Sequence, residues 1–317
     1  MSRDPPVSRR AIGNTGFLTP LVVPSYSSRG FSPIGSKFDL FSSHTTSTSL
    51  VSAYDIYHGA LPMSAAYGSD LVFVDSGGYE AYANSELAEP RPWSLDAYRT
   101  ILSKLEDRTT LVTVTFDFGS RKPIDEQLEA AKQLADDFPH FFWDLLVKPE
   151  STTEPYVNVG ALIARMPLKA PFAILGFAES ELGSSVLERA RNILLIRRAL
   201  TETGSDPPIH VFGCLDPFAI RYYLAAGADI FDGLQWLRSV MTEEGLFRLS
   251  SRIVREDRWD KDENTVEASF RMRNLDTMRA LQRNLTHFAD TGEIASLALS
   301  PIEEDRFARL IRSVGEA

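Results

Sequence analysis

Short apolar runs, each closed by polar residues or glycine, recur along this chain. They are LVVPSYS from Leu21, LVSAYD from Leu50, LVFVDSGG from Leu71, LVTVTFDFG from Leu111, FFWDLLVKP from Phe141, FAILGFAES from Phe172, HVFGCLD from His210 and ADIFDG from Ala228. Continuous rather than alternating runs suit strands covered on both faces, as in a parallel sheet. Between the later runs the apolar period becomes helical. IDEQLEAAKQLADDF places Ile124, Leu128, Ala131 and Leu134 on one stripe, and SVLERARNILLIRRAL repeats Val186, Ala190, Ile193 and Ile196 at the same spacing. Asp216 followed by Pro217 has the form of an N-cap with proline in the first turn, and Gly227 stops that helix before the last run. Eight strands with intervening helices predict an α/β fold, a closed (β/α)8 TIM barrel with extra C-terminal helices.

The pattern also marks what lies outside the barrel. Residues 1–18 carry Pro, Gly, Ser and paired Arg without apolar periodicity and read as an N-terminal tail, while Tyr26 to Thr48 reads as a long Ser/Gly/Thr-rich loop. The remainder, 19–317, reads as one domain, with the barrel over 19–238 and a helical completion over 239–317. In that completion a charged stretch to residue 270 precedes the helical patterns MRALQRNLTHFAD and EEDRFARLIRSV.

Composition narrows the function. At 317 residues and 44% hydrophobic content the chain can bury one large core. The net charge of −10 argues against a surface coated with phosphate-binding cations, so a nucleic-acid partner needs a local basic patch. Arg121, Lys122, Arg238 and the run from Arg248 to Arg271 are the candidates. Cys214 is the single cysteine, which excludes an intramolecular disulfide and a multi-thiolate zinc site and points to a reducing, cytoplasmic setting. No run approaches the ~20 apolar residues of a membrane span, so no membrane partner is expected.

Active sites of (β/α)8 barrels lie at the C-terminal ends of the strands. Asp75, Asp117, Lys148, Glu179, Glu181, Asp216 and Asp232 end the runs here. In VDSGGY, Ser76, Gly77 and Gly78 leave the backbone open to a ligand or a sharp turn, and Tyr79 is placed to stack on a flat ring. Taken singly, each of these residues also fits a turn or a helix cap. His58, His140 and His210 stand among apolar residues and read as structural, as do Trp143 and Trp236, although Trp236 lies near enough to Asp232 to touch a substrate strand.

Together the segments resemble the tRNA-guanine transglycosylase family. LVFVDSGGYEAY resembles its DSGGF/Y segment, and GADIFDGLQWLR its G-[IV]-D-M-F-D-C-V-L-P-T-R segment, in the expected order. Weaker matches are TPLVVPSYSS, TFDFGSRKP and ILGFAESE, so the resemblance spans Thr19 to Arg238. It implies a double displacement that exchanges guanine for a 7-deazaguanine-type base in DNA or tRNA, with no cofactor. Asp232 would be the nucleophile and Asp75 the general acid/base. Asp117 would read the purine edge, Gly176 and Phe177 would line the base pocket through their backbones, and Tyr79 would stack on the base. Ser76, Gly77, Gly78, Lys148, Glu181 and Arg238 complete the implied substrate-binding set. A homodimer or a partner subunit is also implied.

Departures from the family pattern matter as much. Its zinc-binding cysteines after the nucleophile segment are absent, because no Cys follows Cys214, so no metal is expected. Lys148 stands where the family carries an amide, and the family's GGLAVGE becomes LGFAESE, with Glu181 still in register. The losses favour DNA over tRNA as the polymer. Two other readings stay open: a noncatalytic substrate-binding subunit of such an enzyme, and a hydrolase of N-glycosidic bonds.

Overall fold

The computed structural model describes residues 7–29, 33–82, 91–168, 172–243 and 245–315. The eight predicted runs form eight strands: β1 (Leu21–Tyr26), β2 (Thr48–Ser52), β3 (Leu71–Asp75), β4 (Thr110–Val114), β5 (Phe142–Val147), β6 (Phe172–Ala178), β7 (Ile209–Phe212) and β8 (Ile230–Gly233). Each pairs in parallel with the next, and β8 returns to β1 with Leu21 opposite Ile230 and Val23 opposite Asp232, so the sheet is a closed barrel. A two-stranded ribbon follows, β9 (Val240–Thr242) and β10 (Gly245–Phe247).

Side chains alternate across each strand, and this sets up two cores. Outward residues such as Val22, Val72, Val74, Leu145, Leu175 and Phe231 pack beneath the surrounding helices. Inward residues fill the barrel from its N-terminal end with Leu21, Val23, Leu50, Leu71, Phe73, Val112, Ile174 and Ile230. The same inward phase, continued towards the C-terminal ends, turns polar: Ser25 and Ser52, Asp75, Asp144 and Lys148, His210, Asp232. The barrel is therefore apolar at its base and chemical at its mouth.

The predicted tail is packed from Val7 onwards. Ala11 and Leu18 form a β-bridge that carries Ile12, fully buried, into the base of the barrel core. Arg10 joins a buried network there: its Nη1 donates to Asp229 at 2.9 Å and its Nε to Asp206 at 2.9 Å, while Arg197 donates to the same two carboxylates at 2.5 Å each. The anchoring residues, Val7, Arg10, Ile12 and Phe17, follow no helical or strand period, so no periodicity registers. The predicted loop after β1 contains the helix Ile34–Phe41, whose Ile34, Phe38 and Phe41 at i, i+4 and i+7 are buried. Asp216 caps its helix as predicted, accepting from Phe218 N and Ala219 N at 3.0 Å.

In the C-terminal part, the helix Glu263–Thr291 packs against β1 and β9. Its Asn274 is fully buried, accepts from Met241 N and donates to the carbonyls of Trp236 and Ser239, each at 2.7 Å. One turn-pair further on, Gln282 accepts from Val22 N at 2.7 Å and donates to Pro20 O at 2.5 Å, satisfying backbone groups of β1 that the barrel itself leaves open.

Candidate active site

A cavity of about 520 Å³ opens at the C-terminal ends of the strands, and Asp75, Asp117, Lys148, Glu181, Asp232 and Arg238 all line it. Asp75 ends β3 facing inward. The turn after it depends on both glycines: Gly77 has φ +83°, and a Cβ there would fall 2.4 Å from Tyr54 Cβ, while a Cβ on Gly78 would fall 2.5 Å from Asp117 Cβ. This close approach lets Ser76 Oγ accept from Asp117 N at 3.1 Å, so the two acidic segments are tied together. Gly77 N donates to Asp75 Oδ2 at 3.0 Å. Burial, with Glu80, Asp232 and Asp117 as neighbouring negative charges, pushes the Asp75 carboxyl up to about 7.

Glu80 was not among the predicted site residues. It lies in the first turn of the short helix Gly78–Tyr82 and lines the cavity, where the hydroxyls of Ser27 and Ser52 donate to it, the second at 2.9 Å. Burial and the charge of Asp55 hold it up at about 7 as well.

Asp232, on β8, is almost fully buried at 5% exposure. Ser25 Oγ donates to its Oδ2 at 2.7 Å and Gly213 N to its Oδ1 at 3.0 Å. Behind it stands His210 on β7, whose Nε2 lies 3.3 Å from Oδ1 and whose Nδ1 lies 2.6 Å from Asp144 Oδ2 on β5. His210, read from sequence as a structural residue, is buried and hydrogen-bonded, and it stands between the Asp232 carboxylate and a second buried acid.

Across the cavity Lys148 bridges two acids, with Nζ 3.3 Å from Asp117 Oδ2 and 3.0 Å from Glu181 Oε2. Arg121 reaches the other oxygen of Glu181 at 2.9 Å. Asp117 also accepts from Gly119 N at 2.9 Å, which turns its carboxylate inward. At the rim, Arg29 lies over the Tyr79 ring at 4.3 Å and donates to Tyr79 O, and Arg238 reaches Tyr79 Oη at 3.4 Å and Arg29 O at 2.9 Å. One face of the Tyr79 ring is thus covered by a guanidinium rather than open to a base.

Gly176 and Phe177 stand apart from the cavity wall. Phe177 points outward and is fully buried under the helices. Gly176 faces inward but below the cavity floor, where a Cβ would fall 2.6 Å from Asp144 Oδ1 and 2.5 Å from Phe212; the missing side chain makes room for the Asp144 and His210 pair. The stretch just beyond them, Ala178 to Glu181, forms the wall. Trp236 is also removed from the substrate side, fully buried against Tyr26 and Phe41 with Nε1 donating to Ser25 O at 3.0 Å. Trp143 is core, and His58 packs against Tyr54 and Trp93. Of the basic candidates, Arg271 is buried with its Nε on Leu237 O, and Lys122 lies over Phe118.

No family model matches the chain, and no curated protein matches it.

Proposed function

We propose that this chain exchanges a purine-type base on a nucleic acid by two successive displacements at the ribosyl or deoxyribosyl C1′, guanine leaving and a 7-deazaguanine-type base entering. The observation that carries this reading is the pairing of two carboxylates in one cavity with unlike surroundings. Asp232 is held by two hydrogen-bond donors beside an imidazole, and Asp75 is pushed up to about 7. Unlike environments divide acid and nucleophile roles between paired carboxylates.

In the first displacement an Asp232 oxygen bonds to C1′ as the C1′–N9 bond breaks, and the Asp75 proton goes to the departing base. In the second, N9 of the incoming base bonds to C1′, the ester bond to Asp232 breaks, and the N9 proton returns to Asp75. Protons and electron pairs balance over the cycle. The Asp117 carboxylate accepts from the N–H groups of a guanine-type edge, and the Lys148 ammonium beside it donates to the carbonyl oxygen of the same edge. Arg29 and Arg238 at the rim supply the local positive charge that phosphates need on a chain of net charge −10.

The test is incubation of the protein with tRNA, duplex DNA and single-stranded DNA in the presence of labelled guanine or 7-cyano-7-deazaguanine. Label should enter one polymer, and Asp232→Asn should abolish it. Incorporation into none of the three, or full exchange by Asp232→Asn, overturns the reading; release of base with an abasic site left behind identifies a hydrolase instead.

A further inference from the structure

His210 is a fully buried polar group in the barrel interior and has no role in the steps above. Its ring is stacked on Phe212, centroids 3.8 Å apart, and met edge-on by Phe73 at 5.4 Å. It is fully buried, as is Asp144. The charged groups facing it are Asp144 from β5 and Asp232 from β8; β3 and β6 present only Phe73 and the bare backbone of Gly176. A ring so confined cannot swing away from either acid.

We propose that His210, clamped by Asp144, is a positioning residue for Asp232, presenting a protonated Nε2 to its carboxylate at Oδ1 throughout the exchange cycle. Nε2 is buried and makes no aligned hydrogen bond, its contact with Oδ1 being an ion-pair distance of 3.3 Å, and the alternative of a neutral ring with its one hydrogen on Nδ1 would leave a bare lone pair against that carboxylate oxygen. Wherever the shared proton sits along the 2.6 Å contact with Asp144, Nε2 keeps its hydrogen if the pair holds both protons. Although burial alone disfavours the charged ring, the two carboxylates outweigh it and raise His210 to about 9, consistent with that geometry. Gly176 supports the same arrangement, since any side chain there would displace Asp144 or Phe212. The positive charge behind Asp232 fixes the orientation of its carboxylate in the first displacement and favours it as leaving group in the second.

The role in exchange rests on the base-exchange reading, whereas the protonation state does not, and two experiments separate them. Nitrogen NMR of the histidine rings, assigned with His210→Gln, should show Nε2 of His210 still protonated at pH 8 in the wild type. Its titration midpoint should fall by at least about one pH unit in Asp144→Asn and in Asp232→Asn. An unprotonated Nε2 at pH 8, or a midpoint that neither variant moves, overturns the proposal whether or not the protein exchanges bases. In the exchange assay, His210→Gln should lower kcat roughly tenfold or more with the KM for the base little changed. The rate of Asp144→Asn relative to wild type should fall further between pH 6 and 9. A constant ratio over that range would assign the pair a purely structural role and likewise overturn the proposal.

Discussion

Asp75→Asn should make the protein more stable at neutral and alkaline pH while removing the group proposed as proton donor. An unfolded aspartate titrates near 3.8 and folded Asp75 at about 7, so between these values the folded protein holds a proton that the unfolded chain has released. Stability therefore falls as the pH rises across that window, and above it the whole cost is present. Three units at about 1.4 kcal/mol each come to about 4 kcal/mol. Asparagine carries no charge to desolvate, its Oδ1 can still accept from Gly77 N, and about 1 kcal/mol is lost if that bond is poorly made. The variant should then gain about 3 kcal/mol at pH 8 and about 1 kcal/mol or less at pH 5. For a chain of this size the larger gain is a rise of about 5 °C in Tm. Thermal unfolding of both proteins across pH 5 to 8 measures the difference directly, and the contribution of His210 cancels between them. A gain that is no larger at pH 8 than at pH 5, or a loss throughout, would refute the assignment of Asp75 as an acid held protonated by its surroundings.

Other outcomes follow from named contacts. Gly78→Ala should push the Asp117 carboxyl off its present position, because the new Cβ falls 2.7 Å from Asp117 Oδ2; exchange should drop at least tenfold while the far-ultraviolet circular dichroism stays unchanged. Lys148→Met removes the cation between Asp117 and Glu181, and should raise the KM for the incoming base by tenfold or more with a smaller effect on kcat, read from steady-state exchange kinetics. Arg197→Ala leaves Asp229 buried with only Arg10 as a cationic partner and should cost about 3 to 5 kcal/mol in denaturant unfolding.

The barrel was legible because strands buried on both faces are written as largely apolar rather than alternating runs, and the eight recur in order with helical patterns between the later ones. Asp75 and Asp232 were legible as mouth residues because each closes an apolar run in the inward phase of its strand, whereas Asp216, closing another run, caps the next helix. The rest of the site was hidden for physical reasons. His210 sits in IHVF, where a histidine among apolar neighbours looks the same whether it plugs a core or holds a nucleophile. Asp144 was the available signal: a carboxylate in the middle of FFWDLLV cannot be buried without a partner, and its inward phase matches that of His210 across the barrel. Glu80 was masked by its helix, since an acid in a first helical turn needs no further reason to be there. The outward phase of Phe177 follows from alternation once Gly176 is placed inward, so a strict period-2 count along FAILGFAES would have separated the two.

Gln282 reaches across 260 residues to the backbone of Val22. The strand Leu21–Tyr26 is paired with β8 more than 200 residues away and donates a hydrogen bond to a helix farther still. Contacts between segments so distant in sequence form slowly, so no single βα unit can shelter the site at the mouth until these remote parts of the chain have met.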